Sequence, residues 1–118
     1  MALANNFSVN LPEGIPDEFI PYLIGFEHDY NNQQITLTFE ETPTISIRDY
    51  FYNEDNCNKI KGCVLLGYLS VTGQFFKREC FDDVSFLGMS FNALSCFSKE
   101  NLKTSITLMY RERKTLTD

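Results

Sequence analysis

The sequence predicts an α+β protein that is mainly β, with antiparallel sheets arranged as a sandwich and one short helix. Three observations lead to this fold class. Ile35, Leu37 and Phe39 alternate with polar residues, which is the period-two pattern of a strand with one apolar face. A short stripe with helical spacing follows, and the second half of the chain contains only strand-like segments. With 118 residues the chain can close one modest core, so residues 1–118 are expected to form a single domain.

The N-terminal part of the chain is rich in proline, which lacks a backbone donor and favours extended structure. Residues 1–21 contain three of the four prolines, so residues 1–18 are expected to form an extended arm outside the core. The apolar residues within 19–26 predict a first strand, and residues 27–34 predict its polar turn. The alternating segment 35–40 is then the second strand of the sheet.

A short helix is predicted over about residues 44–53. It begins after Pro43, which ends the preceding strand, and either Thr44 or Ser46 can cap its exposed amides. An apolar stripe at positions i, i+3 and i+4 marks the side that packs on a sheet. The residues of this stripe are Ile47, Tyr50 and Phe51.

Four further strand candidates follow, and no helical period interrupts them. Tight-turn residues separate the first three, which predicts an antiparallel meander. The segment around Leu65 is apolar on both faces, so we expect either a second layer of this chain or another subunit to cover its second face. The four candidates are residues 62–73, 74–83, 84–91 and 102–113.

The net charge of the chain argues against some classes of function. A formal net charge of −6 disfavours tight nucleic-acid binding, which depends on Lys and Arg that neutralise phosphates. No run of 18 to 20 apolar residues predicts a membrane span. The first residues lack the basic and apolar segments of a secretory signal, so a soluble protein that folds in a cytoplasm is expected.

No motif for catalysis occurs in the sequence, and no enzyme activity is expected. Nucleotide-binding loops, serine nucleophile elbows and His-x-x-x-His spacings are absent. Asp82 and Asp83 could serve acid and base chemistry if one carboxyl were desolvated, although such pairs are more often solvated turn residues. His28 lies between two acidic residues in the predicted polar turn and is interpreted as a surface histidine.

The cysteine pattern argues against a metal site. The four residues are 6, 17 and 16 positions apart, whereas paired zinc ligands usually lie two to four residues apart on a tight turn. We expect four free thiols in a reducing compartment and no cofactor. The residues are Cys57, Cys63, Cys80 and Cys96.

Two segments resemble the tail tube proteins of contractile-tailed bacteriophages. Residues 35–53, "ITLTFEETPTISIRDYFYN", are similar to that family's strand, acidic residues and helix ending in an aromatic cluster. Residues 72–112, which begin "TGQFFKRECFDDVSF", are similar to its closing portion of strand, loop, polar run and final strand. The chain departs from the family in a shortened loop at 53–62 and in "GMSF" at Gly88, where a proline is common. A tube initiator at the baseplate or a terminator at the neck therefore stays open beside a main tube subunit.

The resemblance implies a structural subunit of a phage tail. Six copies would form a ring in which one sheet of each joins its neighbours in a closed inner barrel, and stacked rings would form the tube. Closure removes unpaired strand edges, which otherwise promote aggregation. The implied partners are further copies of the chain, the tail sheath, and baseplate or neck proteins, with DNA passing through without specific binding and no membrane. The implied location is the virion, after assembly in the host cytoplasm.

Acidic residues in or beside the strands are the candidates for the lumen of such a barrel, because alternate residues of each barrel strand point inward. Carboxylates there would repel phosphates and let DNA slide. The lumen candidates are Glu40, Glu79, Asp82 and Asp83, the last two alternatively at a ring rim. The core or interface candidates are Phe39, Tyr50, Phe51, Leu66, Tyr68, Phe86, Ile106 and Leu108.

Two other classes of function remain open from the sequence. The first is a small β-rich binding module, such as a phage-encoded inhibitor that docks a host protein through exposed aromatic residues. The second is a small hydrolase or isomerase that uses Asp82 and Asp83. Electron microscopy separates the structural subunit from the binding module, since only the subunit forms uniform rings or tubes with a central hole.

Overall fold

Two four-stranded antiparallel sheets pack face to face in the computed structural model, which describes residues 7–69, 72, 74–91 and 102–116. The predicted fold class is confirmed. Sheet I has the order β1 (Phe7–Asn10), β4 (Val64–Leu69), β5 (Phe75–Asp82) and β8 (Glu112–Leu116). Sheet II has the order β2 (Leu23–Asp29), β3 (Gln34–Glu40), β7 (Lys103–Met109) and β6 (Ser85–Phe91). The helices are a 3-10 helix (Asp17–Tyr22), α1 (Ile47–Tyr52) and α2 (Glu54–Asn58).

The centre of the core is the inner face of β3 and β7. Ile35 pairs with Leu108 and Leu37 with Ile106, and all four side chains are completely buried. This face follows directly from the alternation in the sequence, since successive strand residues point to opposite sides of a sheet. Opposite it, sheet I contributes apolar residues such as Phe81, whose ring centroid lies 5.8 Å from that of Phe26 in β2.

The helix predicted over residues 44–53 is present as the shorter α1, and a second helix, α2, which was not predicted, follows it in the segment 53–62 interpreted as a shortened loop. Ser46 caps α1 by accepting a hydrogen bond from the N–H of Asp49, as one of the two predicted capping residues. The predicted helix stops at Asn53, whose extended backbone (φ −82°, ψ 112°) breaks the α-helical pattern. The side chain of Asn53 then accepts hydrogen bonds from the N–H groups of Asp55 and Asn56 and caps α2. A residue that caps well therefore interrupts a segment that the apolar stripe alone would continue.

The N-terminal segment differs from the predicted free arm. Its described part is extended, but β1 pairs with β4 and buries Val9. The predicted first strand is also shifted along the chain, because a 3-10 helix occupies Asp17–Tyr22 and β2 continues to Asp29, inside the predicted polar turn. Gly14 holds this segment against the end of α2, at a φ of 96° and with no room for a Cβ beside the Lys59 carbonyl.

The predicted meander holds for β4 and β5 and fails for β5 and β6. β4 and β5 pair as expected, but the chain leaves sheet I at Asp83, where φ is 56°, and β6 joins sheet II beside β7. The last predicted strand is likewise two strands, since β7 belongs to sheet II and β8 returns to pair with β5. Turn residues mark a change of direction, but they do not specify whether the next strand pairs with the last one or crosses to the other sheet.

The second face of β4 is not covered by another layer of the described chain. Val64 and Leu66 are buried in the core, whereas Leu65 on the opposite side is half-buried among its neighbours on the outer face of sheet I. The predicted second layer is therefore not found among the described residues. Within the described ranges, no helix has the length and apolar character needed to cross a membrane.

Phe51 anchors α1 on sheet II and on the 3-10 helix. Its side chain is 3% exposed, and its ring lies 6.1 Å from that of Phe19, 6.4 Å from Phe39 and 6.2 Å from Phe86, on which it stacks. We expect Phe51→Ala to lower the free energy of unfolding by roughly 3 to 5 kcal/mol, because the aromatic cluster is left with a cavity. Urea unfolding of the monomeric chain measures the change.

The neighbouring Tyr52 provides the matched control. It follows Phe51 on the same helix but is 60% exposed. Tyr52→Ala is expected to cost less than about 1 kcal/mol, as is usual for surface substitutions. Equal losses in the two variants would contradict the assignment of Phe51 as the anchor.

Candidate functional site

The outer face of sheet II is lined by small polar side chains. In the described strands, β3 and β7 present a double row of hydroxyl groups, in which Thr38 lies 2.9 Å from Ser105 and Thr36 lies 3.4 Å from Thr107. These residues alternate with the buried apolar residues of the same strands, so they point away from the core. The polar face of sheet II includes Glu27, Asp29, Gln34, Thr36, Thr38, Glu40, Ser90, Lys103, Ser105 and Thr107. Met109, the partner of Gln34, is an exposed apolar residue on the same face.

The polar face has an excess of negative charge. Glu27 and Asp29 on β2 and Glu40 on β3 are acidic, while Lys103, the cross-strand neighbour of Glu40, is basic. Asp29 accepts hydrogen bonds from the side chain of Asn32 at 2.8 Å and from the backbone N–H groups of Asn31 and Asn32. These bonds, that of the Asn32 side chain first, lower the pKa of Asp29 and keep it ionised.

The structure separates the four lumen candidates. Glu40 lies on the polar face of sheet II. Asp82 and Asp83 lie at the end of β5 in the other sheet, where Asp83 forms an exposed ion pair with Arg111 at 3.3 Å. Glu79 faces the core and its side chain is 2% exposed, so its assignment to an aqueous lumen is wrong for the physical reason that water does not reach it. The alternation of side chains along β5 shows which residues share a face with Glu79. It does not show whether that face points to the core or to solvent.

Two acidic residues on the polar face were missed from the sequence. Glu27 and Asp29 were interpreted as parts of a polar turn, whereas they form the second half of β2. The available signal was the alternation of Phe26 and His28, which face inward, with the two acids. His28 is not the predicted surface residue either, because its ring packs 4.8 Å from that of Phe81 and its Nε2 lies 2.6 Å from the Tyr110 hydroxyl.

Glu79 is the centre of a buried polar cluster between the sheets. Its carboxylate accepts hydrogen bonds from the Tyr68 hydroxyl and from Arg113 Nη1, both at 2.7 Å, and Lys77 Nζ lies 3.9 Å away. Burial alone would raise the pKa of Glu79, but the bonds from Tyr68 and Arg113 and the charge of Lys77 outweigh it, so the pKa is lowered. Burial and the bond to Glu79 raise the pKa of Tyr68 to about 12. An ionised carboxylate held by a cation is a weak base, so the cluster is suited to structure and not to proton transfer.

An exposed apolar patch lies where α1 meets the end of β6. Phe91 and Tyr52 are 46% and 60% exposed, and their ring centroids are 6.4 Å apart. The Arg48 guanidinium stacks on Phe91 at 4.0 Å, and its Nε and Nη2 atoms are buried without a hydrogen-bond partner. This Phe91 patch adjoins the free edge of β6, on which Leu87 is 48% exposed.

The described cysteines are free thiols, and Cys96 lies outside the described residues. Cys57 is buried and donates a hydrogen bond to the Phe51 carbonyl at 3.1 Å. Cys63 is exposed and Cys80 is half-buried. In the described part of the chain, no three potential ligands among His, Cys, Asp and Glu come close enough to hold a metal ion.

Solved structures with a similar fold are components of contractile injection systems. A chain of the anti-feeding prophage cap, a tube-terminating cap, is similar at a TM-score of 0.68 and 15% identity, over 100% of this chain and 92% of that one. A chain of the sheath–tube complex of the extracellular contractile injection system PVC matches at 0.68 and 14% identity, over 100% and 93%. Hcp2 from Salmonella typhimurium matches at 0.60 and 11% identity, over 96% and 86%. No family model and no curated protein matches the sequence. The tube fold implied by the sequence resemblance is confirmed.

Replacing Glu79 is expected to destabilise the protein through its buried cluster. Glu79→Gln leaves Arg113 and Tyr68 without a charged acceptor and should lower the free energy of unfolding by about 2 to 4 kcal/mol at pH 7. Because the pKa of Glu79 is lowered, the stabilisation is complete above pH 4.5 and is lost as the pH falls below that value, a loss that the variant lacks. Urea unfolding between pH 3 and 7 measures both effects.

Asp83→Asn is the control for this prediction. Asp83 also pairs with an arginine, but in an exposed pair, and exposed pairs contribute about 0 to 1 kcal/mol. A loss in Glu79→Gln no larger than that in Asp83→Asn would show that burial of the Glu79 pair is not what stabilises it.

Because of His28, the free energy of unfolding should depend on pH in a range above that in which Asp and Glu side chains titrate. Burial lowers the pKa of His28 and, helped by the charge of Arg113, outweighs the opposing charges of Glu79 and Asp29, so the unfolded chain takes up the proton first as the pH falls through 6.5. The free energy of unfolding therefore decreases from pH 6.5 to about 5, by at most about 1.4 kcal/mol per pH unit. His28→Gln should unfold with a smaller slope in this range and match the wild type in slope above pH 7. Identical slopes from pH 5 to 6.5 would overturn the prediction.

Proposed function

We propose that this chain is a structural subunit that self-assembles into six-membered rings, which stack into the tube of a phage tail or of a related contractile injection system. The edges of sheet II carry this proposal. β2 and β6 are each seven residues long and, among the described strands, have a neighbour on one side only. A long exposed edge presents unpaired N–H and C=O groups that favour pairing with another chain.

The strand directions of sheet II suit the closure of a ring. The four strands are antiparallel throughout, so β2 and β6 run in opposite directions. When β6 of one subunit meets β2 of the next, the new pair is therefore antiparallel as well. Each subunit can repeat the same contact until the ring closes, which removes both edges.

A barrel formed by six subunits would be wide enough to enclose an open passage. Six subunits would provide about 24 strands, and strands about 4.8 Å apart and tilted by about 40° give a circumference of roughly 150 Å. The backbone diameter is then about 48 Å, which leaves an open passage on the order of 40 Å. A similar fold also occurs in the baseplate of the anti-feeding prophage, whose structure is six-fold symmetrised.

The exposed apolar residues beside β6 support this contact. Three large apolar side chains lie near this edge and are about half exposed in the single chain. They are Leu87 in β6 and the Phe91 patch residues Phe91 and Tyr52. Clustered exposed apolar residues indicate an interaction site. A neighbour that pairs with β6 would cover them, and the outer face of β4 around Leu65 offers a further surface for contact.

The polar face of sheet II is the proposed lumen. Its hydroxyl groups are neutral, and its acidic excess repels phosphates, so DNA or another hydrophilic cargo could pass without retention. The proposed partners are further copies of the chain, a sheath, and baseplate or neck proteins, in a tail assembled in the host cytoplasm.

Ring assembly is tested by electron microscopy and ultracentrifugation of the purified chain. We expect uniform rings or tubes with a central hole, and we expect Leu87→Lys to abolish them while the monomer stays folded, because a lysine at the β6 edge opposes strand pairing. Circular dichroism and urea unfolding report the fold of the variant.

Leu116→Lys is the matched control, since Leu116 has a similar exposure but lies in β8 at the edge of sheet I. It should leave rings intact. Loss of rings in Leu116→Lys alone would assign closure to sheet I and contradict the proposal. A chain that stays monomeric at high concentration would favour the binding module instead.

The lumen assignment is tested by charge reversal on the assembled rings. Glu27→Lys with Glu40→Lys should let rings retain double-stranded DNA at low salt, with release as salt is raised, because the lysines bind phosphates. The control reverses the same number of charges in sheet I, with Asp83→Lys and Glu112→Lys, and should leave DNA unbound inside the tube. Retention in the control and none in the first variant would show that sheet II does not line the passage.

A further inference from the structure

We propose that Cys63 and Cys80 are a redox site, in which an intramolecular disulfide forms on the outer face of sheet I when the protein meets an oxidising thiol buffer. This inference goes beyond the proposed function and does not depend on ring assembly. It concerns the strand pair β4–β5, which is present in each single chain.

The register of β4 and β5 brings the two thiols together. Cys80 pairs with Leu65, and Cys63 precedes Leu65 by two residues, so both cysteines share the face that points away from the core. Diagonal neighbours of this kind lie within reach of each other across an antiparallel pair. The two thiols are near enough for Cys63 to raise the pKa of Cys80, after the larger effect of burial.

The backbone on both sides of Cys63 is held in place. Val64 pairs with Phe81 in the β4–β5 ladder. On the other side, the carbonyl of Gly62 accepts a hydrogen bond from the N–H of Val84 at 3.0 Å. Diagonal neighbours lie about 7 to 8 Å apart, slightly beyond the usual Cα separation of a disulfide. Cys63 lies just before β4, so we expect a small backbone shift at this residue, together with side-chain rotation, to bring the sulfur atoms to bonding distance.

Thiol–disulfide exchange in two steps needs one thiol that a small disulfide can reach and a second thiol beside it. Cys63 is exposed and accessible to a small disulfide, whereas Cys80 is half-buried behind it. Burial and the contact with Cys63 raise the pKa of Cys80, so Cys80 is expected to act second. Cys57 contrasts with both, since it is buried in α2 and donates its hydrogen to a carbonyl.

Oxidised glutathione is the co-reactant for the reaction. The Cys63 thiolate attacks one glutathione sulfur, which forms a mixed disulfide and releases one glutathione thiolate. The Cys80 thiolate then attacks the Cys63 sulfur, forms the Cys63–Cys80 bond and releases the second glutathione. Two protein thiols lose their protons and two electrons, and glutathione disulfide is reduced to two thiols. Excess reduced glutathione reverses both steps.

The bond would link the start of β4 directly to β5. It closes a loop that contains β4 and most of β5, and cross-linking such a loop restricts the unfolded chain. Oxidation is expected to raise the unfolding temperature by roughly 5 to 15 °C. A protein assembled in a reducing cytoplasm would thereby gain stability after transfer to an oxidising exterior, a consequence that does rest on the proposed function.

The experiment uses the full chain, reduced and then equilibrated with oxidised glutathione. After the remaining thiols are blocked with N-ethylmaleimide, peptide mass spectrometry should find a Cys63–Cys80 cross-link that reduced glutathione removes. Cys57→Ser should form the same cross-link and show the same rise in unfolding temperature. Cys63→Ser should form none and show no rise, and its exposed position makes loss of folding unexpected.

Three results would overturn the proposal. The first is alkylation of both Cys63 and Cys80 in excess oxidised glutathione. The second is a stable glutathione adduct on Cys63 that Cys80 does not displace. The third is a cross-link between two chains in place of the one within each chain. Because the cross-link is read within single chains, its failure is distinguishable from a failure of ring assembly, which the Leu87→Lys variant tests.

Discussion

The inner faces of β3 and β7 pack against sheet I in a layer from which water is excluded. The burial of this layer determines which side chains of the two strands point to solvent. Ile35, Leu37, Ile106 and Leu108 occupy that layer. Since strand residues alternate, burying these four directs Thr36, Thr38, Ser105 and Thr107 to the opposite side. A sheet with one wholly apolar face and one face of small hydroxyl groups can serve as a wall, which shields a core on one side and contacts an aqueous passage on the other.

The Glu79 cluster shows how a small sandwich tolerates a charge in its interior. Each polar atom around the carboxylate has a partner: Tyr68 donates, Arg113 donates, and Lys77 lies within ion-pair distance. The cluster also attaches β8 to the core. The side chains of β8 are otherwise exposed, and Arg113 is the residue that reaches inward. A buried pair of this kind contributes little beyond what an apolar contact would, but loss of one partner is costly because the other charge stays behind.

The surfaces that the single chain leaves unsatisfied are consistent with a subunit of a larger assembly. The edges of β2 and β6 lack neighbours, the Phe91 patch exposes aromatic rings beside one of those edges, and the outer face around Leu65 is only half-covered. Both edge strands contain a bulge, and β2 carries two acidic residues, features that limit unspecific pairing at an edge. In the proposed ring, closure would remove the two edges of sheet II at once and would place the polar face on the inside.

The sequence by itself determined those elements whose pattern is local. Alternation at Ile35, Leu37 and Phe39 predicted β3, the stripe of Ile47, Tyr50 and Phe51 predicted the buried side of α1, and Ser46 was among the predicted caps, because each of these depends on neighbours a few residues away. Only the tertiary structure decided which strands pair and which face meets the core. It placed β6 beside β7 and not beside β5, added β1 to sheet I, and buried Glu79 while leaving Glu27 and Asp29 outside. Alternation groups side chains by face, but the choice between core and solvent, and between one neighbouring strand and another, depends on contacts between residues far apart in the chain.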